Sequence, residues 1–197
     1  MPCSNEALAL IPRASWGAAA PNLAAPNEHG RFDPRNNPEG WLVYDQPLAQ
    51  VLNTIIVHHS SLPFWQGPRE VQQLHMQQWG FADIGYHFLI NLWGQLYEGR
   101  SLTVRGAHTA GFNTGTIGVV LLDNFEQYPP TVLQLGKLTA LGRCLAQRYS
   151  LTHLAGHRDF LPGQTVCPGR YLEPLLPNLA AELGLTFGTG GYAPPQY

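Results

Sequence analysis

Lysine is nearly missing from this chain. Lys137 is the only one in 197 residues, charged residues make up 12%, and the net charge is −2. With so few cations there is no basic stripe, so nucleic acid is excluded as a partner. No apolar run approaches the length of a membrane span. Cysteine is scarce and odd in number, at Cys3, Cys144 and Cys167, which argues against a disulfide framework but leaves room for one pair. The opening residues, Met1 to Ala14, lack the basic start and long apolar stretch of a secretory signal. Either the protein does not use that route or this is a mature form with an added Met. Cys3 lies in a flexible start, and nothing around it supports lipid modification.

Hydrophobic residues, in contrast, make up 44% of the chain, enough for a core that needs few staples. The first fifty residues are rich in turn formers and poor in periodicity. They read as a loop-rich segment packed on the domain that follows. From there strand and helix signals alternate. NTIIVHHS (Asn53–Ser60) is a strand by its β-branched apolar run. GPREVQQLHMQQWG is a helix with Pro68 in its first turn and Gly80 at its end. YHFLINLWGQLYEG is two strands joined near Trp93 and Gly94, and TIGVVLLDN is a buried strand. VLQLGKLTALGRCLAQRY is a helix on which Leu138, Leu141 and Leu145 share a face, and Cys144 reads as a small buried apolar residue. A short strand at THLAGH and a helix at PLLPNLAAELG follow, and residues 186–197 read as a flexible tail. Such alternation predicts one α/β domain over residues 51–185, with a central mixed β-sheet flanked by helices.

The chain has eight histidines, of which His58, His87 and His157 fall where strands end. Strand ends line the ligand crevice in α/β folds. His157 and Cys167 lie ten positions apart on a loop rich in Gly and Pro. A thiolate, a neighbouring imidazole and a distant one make a zinc set with a fourth position open to water. Spacing alone leaves the alternative of a hydrogen-bonded histidine and a buried free thiol.

Several segments, in order, carry a resemblance: IPRASWGA, IIVHHS, HMQQWGFADIGYHFLI, LYEGR, GAHTAGFNTGTIGVVLLDNF and GHRDFLPGQTVCPG. Together they resemble the zinc-dependent N-acetylmuramoyl-L-alanine amidases that share a fold with peptidoglycan recognition proteins and amidase-type phage lysozymes. The likeness runs from about Ile11 to about Leu172. It implies His58, His157 and Cys167 as zinc ligands, with His59 turned to the other side of its strand. It implies Tyr86 as the catalytic tyrosine and Thr165 beside the reacting carbonyl, both hydrogen-bonding the oxyanion. His108 resembles a position lining the substrate groove. Trp65, in the loop SSLPFWQGP, is a candidate to stack on sugar or peptide. Structural roles are expected for His75, His87, Arg158, Asp159 and a Glu98–Arg100 ion pair. The cytoplasmic amidases of this kind carry an aspartate as third ligand and a glutamate where this chain has Val120. Cys167 therefore favours the recognition-protein and phage-lysozyme type.

The expected activity is hydrolysis of the amide between the muramoyl lactyl group and L-alanine in peptidoglycan or muropeptides. The alternative is a module that binds peptidoglycan without cutting it. The expected protein is a monomer working outside the cytoplasm or as a phage lysis enzyme.

Overall fold

The computed structural model describes residues 6–25 and 41–192. Its centre is strand β2, Thr54–His59, buried along its whole length. It pairs in parallel with β5 (Thr116–Leu121) on one side and β6 (His153–Gly156) on the other. Parallel strands covered on both faces need continuous apolar runs, and TIIV and IGVVL supply them. The hairpin β3 (Phe88–Ile90) and β4 (Leu96–Glu98) turns at Asn91–Gln95, where the Gly94 N–H donates to the Asn91 carbonyl. Strand β3 runs parallel to β5 and antiparallel to β4. Edge strands β1 (Leu10–Ile11) and β7 (Thr186–Phe187) complete a mixed seven-stranded sheet in the order β1-β4-β3-β5-β2-β6-β7.

Alternation along β2 sorts its side chains. Ile55 and Val57 enter the main core, beneath α3 (Val132–Arg148) and α5 (Leu176–Glu182). Helix α3 starts in a capping box, with the Thr131 hydroxyl accepting from the Gln134 N–H. On the opposite face Val71, Ile84, Tyr86, Leu89, Val120 and Leu122 form a second cluster under α2 (Pro68–Gln73). His58 points to that second face. The other short helices are α1 (Leu48–Val51) and α4 (His157–Phe160).

Four details differ from the sequence reading. The helix expected over 67–80 is α-helical only to Gln73 and then widens into a π-helical turn, Leu74–Gln78. That turn brings His75 and Trp79 into a ring stack at 4.6 Å. Residues expected as a floppy tail instead add strand β7, because Phe187 finds apolar cover and the Thr186 N–H an acceptor in Thr152. Tyr192 packs on Phe112 and Phe160 and donates to the Thr114 carbonyl at 2.7 Å. Residues 193–197 of that segment, like Cys3 at the other end, lie outside the described residues. Cys144 is buried as expected, yet it is disulfide-bonded, and Cys167 is the free cysteine among the described residues. Glu98 and Arg100 do not pair. Arg100 donates to the carbonyls of Asp83, Ile84 and Arg105, while Glu98 accepts from the Arg13 N–H.

Candidate functional site

Three ligand atoms, one each from His58, His157 and Cys167, lie within 4.8 Å of one another. Each is delivered by a different piece of backbone at the carboxyl edge of the sheet. His58 is the fifth residue of β2, and its register partner is Val120 on β5. His157 opens α4 directly after β6, where the Asp159 carboxylate accepts from the Gly156 N–H at 2.7 Å and fixes the turn. Cys167 returns on the loop that follows. Its carbonyl accepts from the Arg158 N–H at 2.9 Å, and its sulfur accepts from the His59 N–H at 3.4 Å. The neighbouring His59 side chain belongs to the other face, where its Nδ1 accepts from the Phe125 N–H at 3.2 Å.

The donor set suits a metal such as zinc on three counts. First, His157 Nε2 is buried without a hydrogen-bond partner, a costly state for a polar atom unless something else engages it. Second, burial, reinforced by the neighbouring histidines, holds His58 well below the usual imidazole range. His157 is pushed down to about 4, chiefly by burial. Both are neutral near pH 7, with a lone pair to give. Third, burial pushes the Cys167 thiol up to about 12, against the pull of the His59 N–H and Arg158. A cation among these atoms would supply the charge that a thiolate needs there.

Hydrogen bonding selects how His58 presents itself. Its Nδ1 lies 3.6 Å from Cys167 Sγ and its Nε2 lies 3.0 Å from His108 Nδ1. With Nδ1 free for a ligand role, Nε2 carries the proton and donates to His108. The His108 ring fits only because position 118 is glycine, since a Cβ there would come within 2.5 Å of His108 Cδ2. His108 is thus both a wall of the cleft and a partner of a ligand.

Tyr86 stands over the same cluster, with its ring 5.0 Å from that of His58. A close backbone approach sets its place: a Cβ on Gly85 would meet the Ala107 carbonyl oxygen at 2.1 Å. Burial, and secondarily Cys167, raises the Tyr86 phenol, so it keeps its proton and acts as a donor at neutral pH. Tyr86, His108 and His157 share a cleft of about 230 Å³ with His75, Trp79 and Phe81. Those last three were read in the sequence as part of a helix and its exit, with no signal that they face a cavity. His75 braces the fold as expected, accepting from the Gly85 N–H at 2.8 Å, and also lines this cleft. His87 is structural: Nδ1 accepts from Gly118 and Nε2 faces the Val104 carbonyl.

His58, His157, Cys167, Tyr86 and His108 therefore converge, and the other two candidates sit apart. Thr165 turns its hydroxyl back to accept from the Cys167 N–H at 3.1 Å and lines a separate hollow with Glu126, Arg158 and Asp159. Its short side chain satisfies a turn instead of reaching the cleft. Trp65 is 70% exposed and lines a different groove.

Known proteins with related sequences and folds share this arrangement of chain. A family model described as N-acetylmuramoyl-L-alanine amidase matches residues 48–170. A peptidoglycan recognition protein of Trichoplusia ni is 34% identical over 140 residues, covering 66% of this chain and 76% of the relative. The crystal structure of Drosophila peptidoglycan recognition protein SD superposes with a TM-score of 0.66 at 28% identity, covering 84% of this chain and 91% of that one. The N-acetylmuramoyl-L-alanine amidase LysC of Clostridium intestinale superposes with a TM-score of 0.63 at 31% identity, covering 74% and 95%.

Proposed function

We propose an activity from this premise: the chain belongs to the N-acetylmuramoyl-L-alanine amidase family. Our reading is that it is a zinc-dependent hydrolase that cuts peptidoglycan between the muramoyl lactyl group and L-alanine. The observation that carries it is the His58, His157 and Cys167 cluster beside Tyr86.

The two imidazoles and the thiolate would hold the zinc, with His108 fixing the His58 tautomer. Zinc bound there supplies Lewis acidity, making water a stronger nucleophile at neutral pH and polarising an amide carbonyl. The neutral, aromatic-walled cleft of His75, Trp79 and Phe81 receives the substrate and sheds water around the reacting amide. Water oxygen adds to the lactyl carbonyl carbon and the carbon–nitrogen bond breaks. The nitrogen takes up a proton, leaving a carboxylate and the free amino group of alanine. Tyr86, still protonated, donates a hydrogen bond to the oxyanion that forms on the way. Thr165 contributes by holding the Cys167 loop.

A recognition module that only binds peptidoglycan is the second reading, favoured by the names of similar proteins. Cys167 weighs against it, since binding alone has no use for a buried thiol aimed at two imidazoles. The disulfide at Cys144 fits work in an oxidising compartment outside the cytoplasm, and no described helix is long and apolar enough to cross a membrane. Mass analysis of muropeptides from treated cell walls tests the reading. Free alanine amino termini should accumulate with zinc and stop with a chelator; walls left intact under both conditions would leave the binding module.

A further inference from the structure

A second groove, of about 700 Å³, opens between the loop after β2 and the loop after β5. Its walls carry Phe64, Trp65 and Tyr128, which are 48%, 70% and 59% exposed. Large aromatic surfaces left in water usually mark a binding site. Phe64 and Trp65 hold each other edge to face at 5.2 Å. Asp123, Asn124 and Gln127 also line it, with Asp123 Oδ1 accepting from the Asn124 N–H at 2.7 Å and Asn124 Oδ1 from the Glu126 N–H at 3.0 Å, which leaves their other polar atoms to face a ligand. The Gln127 side-chain amide makes no hydrogen bond among the described residues, while its backbone N–H donates to the Asn124 carbonyl. Among the described residues, no Lys, Arg or His lines the groove.

The floor is rigid. Ser61 and Asp123 both adopt left-handed backbone, with φ of 56° and 147°. The Ser61 N–H donates to the Asp123 carbonyl at 3.1 Å, and the Asp123 N–H donates to the Ser60 hydroxyl at 3.1 Å. Non-glycine residues hold such conformations where the surroundings enforce them, and they gather at binding sites. The groove is built on the chain that leaves the candidate metal site. Ser61 is three residues beyond His58, and Leu62 packs against the cluster that contains Tyr86. The Phe125 N–H, next to Asn124, donates to His59 Nδ1.

Exposed aromatic faces beside planar amides and a carboxylate match a pyranose, which offers apolar C–H faces and a rim of hydroxyls. We propose that this groove is a subsite for the glycan strand of peptidoglycan, with Trp65 and Tyr128 as the stacking faces. The inference rests on the amidase reading for the identity of the substrate, because the bond cut there has sugar on its acyl side and peptide on its amine side. The cleft of His75, Trp79 and Phe81 then takes one side and the aromatic groove extends the other. The protein accordingly favours polymeric walls over short muropeptides.

Peptide-free glycan strands prepared from peptidoglycan test this directly with the full-length protein. Binding is followed by calorimetry and by tryptophan fluorescence. Wild type should bind them, and Trp65→Ala and Tyr128→Ala should each weaken binding roughly fivefold, the scale of one lost stacking contact. Trp93→Ala removes an aromatic that is equally exposed, at 59%, but outside the groove, and should bind like wild type. Thermal unfolding controls for folding. If wild type ignores peptide-free strands, or if Trp65→Ala binds them as well as Trp93→Ala does, the subsite is wrong even though walls are still cut. If Trp65→Ala and Tyr128→Ala both lose the strands, Trp93→Ala keeps them and neither wild type nor any variant cuts a wall, the subsite stands and the amidase reading falls.

Discussion

The two sides of the Cys167 loop are built on opposite principles. Toward the cleft, everything near the sulfur is neutral: His58, His108, His75 and a protonated Tyr86, all buried. Behind the loop the groups are charged. Arg158 donates to the Val166 carbonyl, lies 3.4 Å from Glu126 and 3.7 Å from Glu173, while Glu126 accepts from the Arg170 N–H at 2.7 Å. One turn of chain separates them. The difference teaches how a fold keeps a donor set ready for a cation: fixed charges position the loop from outside, and the inner face holds no charge that would compete.

Replacing the sulfur should have the largest effect. Cys167→Ser should lower turnover on cell walls by roughly a thousandfold or more, with zinc content falling in the same sample by elemental analysis. A protein that only binds peptidoglycan would keep its affinity and show no such loss.

Acid tests the neutral side. Burial lowers His75 to about 3 and His87 to about 4 from an unfolded value near 6.5. Between those limits the unfolded chain binds more protons, so their stability contribution is full above pH 6.5 and lost as pH falls. By pH 5, about 1.5 units below the unfolded value, each costs roughly 2 kcal/mol at about 1.4 kcal/mol per unit. Glu173 has the opposite sign: burial, with Asp159 adding to it, raises it to about 7. Its contribution is present below its unfolded value and fades as pH rises through 7. Thermal unfolding of the metal-free protein should therefore show Tm rising from pH 5 to pH 7, and Glu173→Gln should steepen that rise. A flat profile would contradict the neutral interior.

Tyr86→Phe removes one donor and leaves the ring. Turnover should drop roughly a hundredfold while zinc affinity and Tm stay near wild type. Arg158→Ala acts on the charged side only, so zinc affinity should weaken roughly tenfold by competition with a chelator while turnover at saturating zinc is largely preserved. Thr165→Val is the mildest change. It removes one acceptor for the Cys167 N–H, worth about 1 kcal/mol, and turnover should fall only a few fold. A hundredfold loss there would return Thr165 to the reacting carbonyl.

Much of this was legible in the chain. The β-branched runs marked β2 and β5 because parallel central strands must be apolar on both faces. Pro68 marked the start of the helix, but its α-helical part ends at Gln73 and nothing in LHMQQ announced the π turn that follows, which depends on what the helix packs against. Strand β7 was missed because two residues have no period; only the free edge of β6 makes Thr186 and Phe187 a strand. Cys144 looked like any small apolar residue on its helix face, since a disulfide requires a partner that helical spacing does not locate.

The ordered set of segments was readable in the chain, and strand alternation required that only one of His58 and His59 face the site, the resemblance naming His58. The sequence also supplied the residue types: two imidazoles, one thiol and a tyrosine. The tertiary structure alone decided how they meet. Bringing His58, His157 and Cys167 within 4.8 Å needs a strand end, a helix start and a returning loop to meet at one sheet edge. The same closure turned Thr165 inward to its own backbone and joined His108 to His58. Side-chain chemistry is local and can be read one residue at a time, whereas the distances between donors far apart in sequence exist only once the sheet has paired.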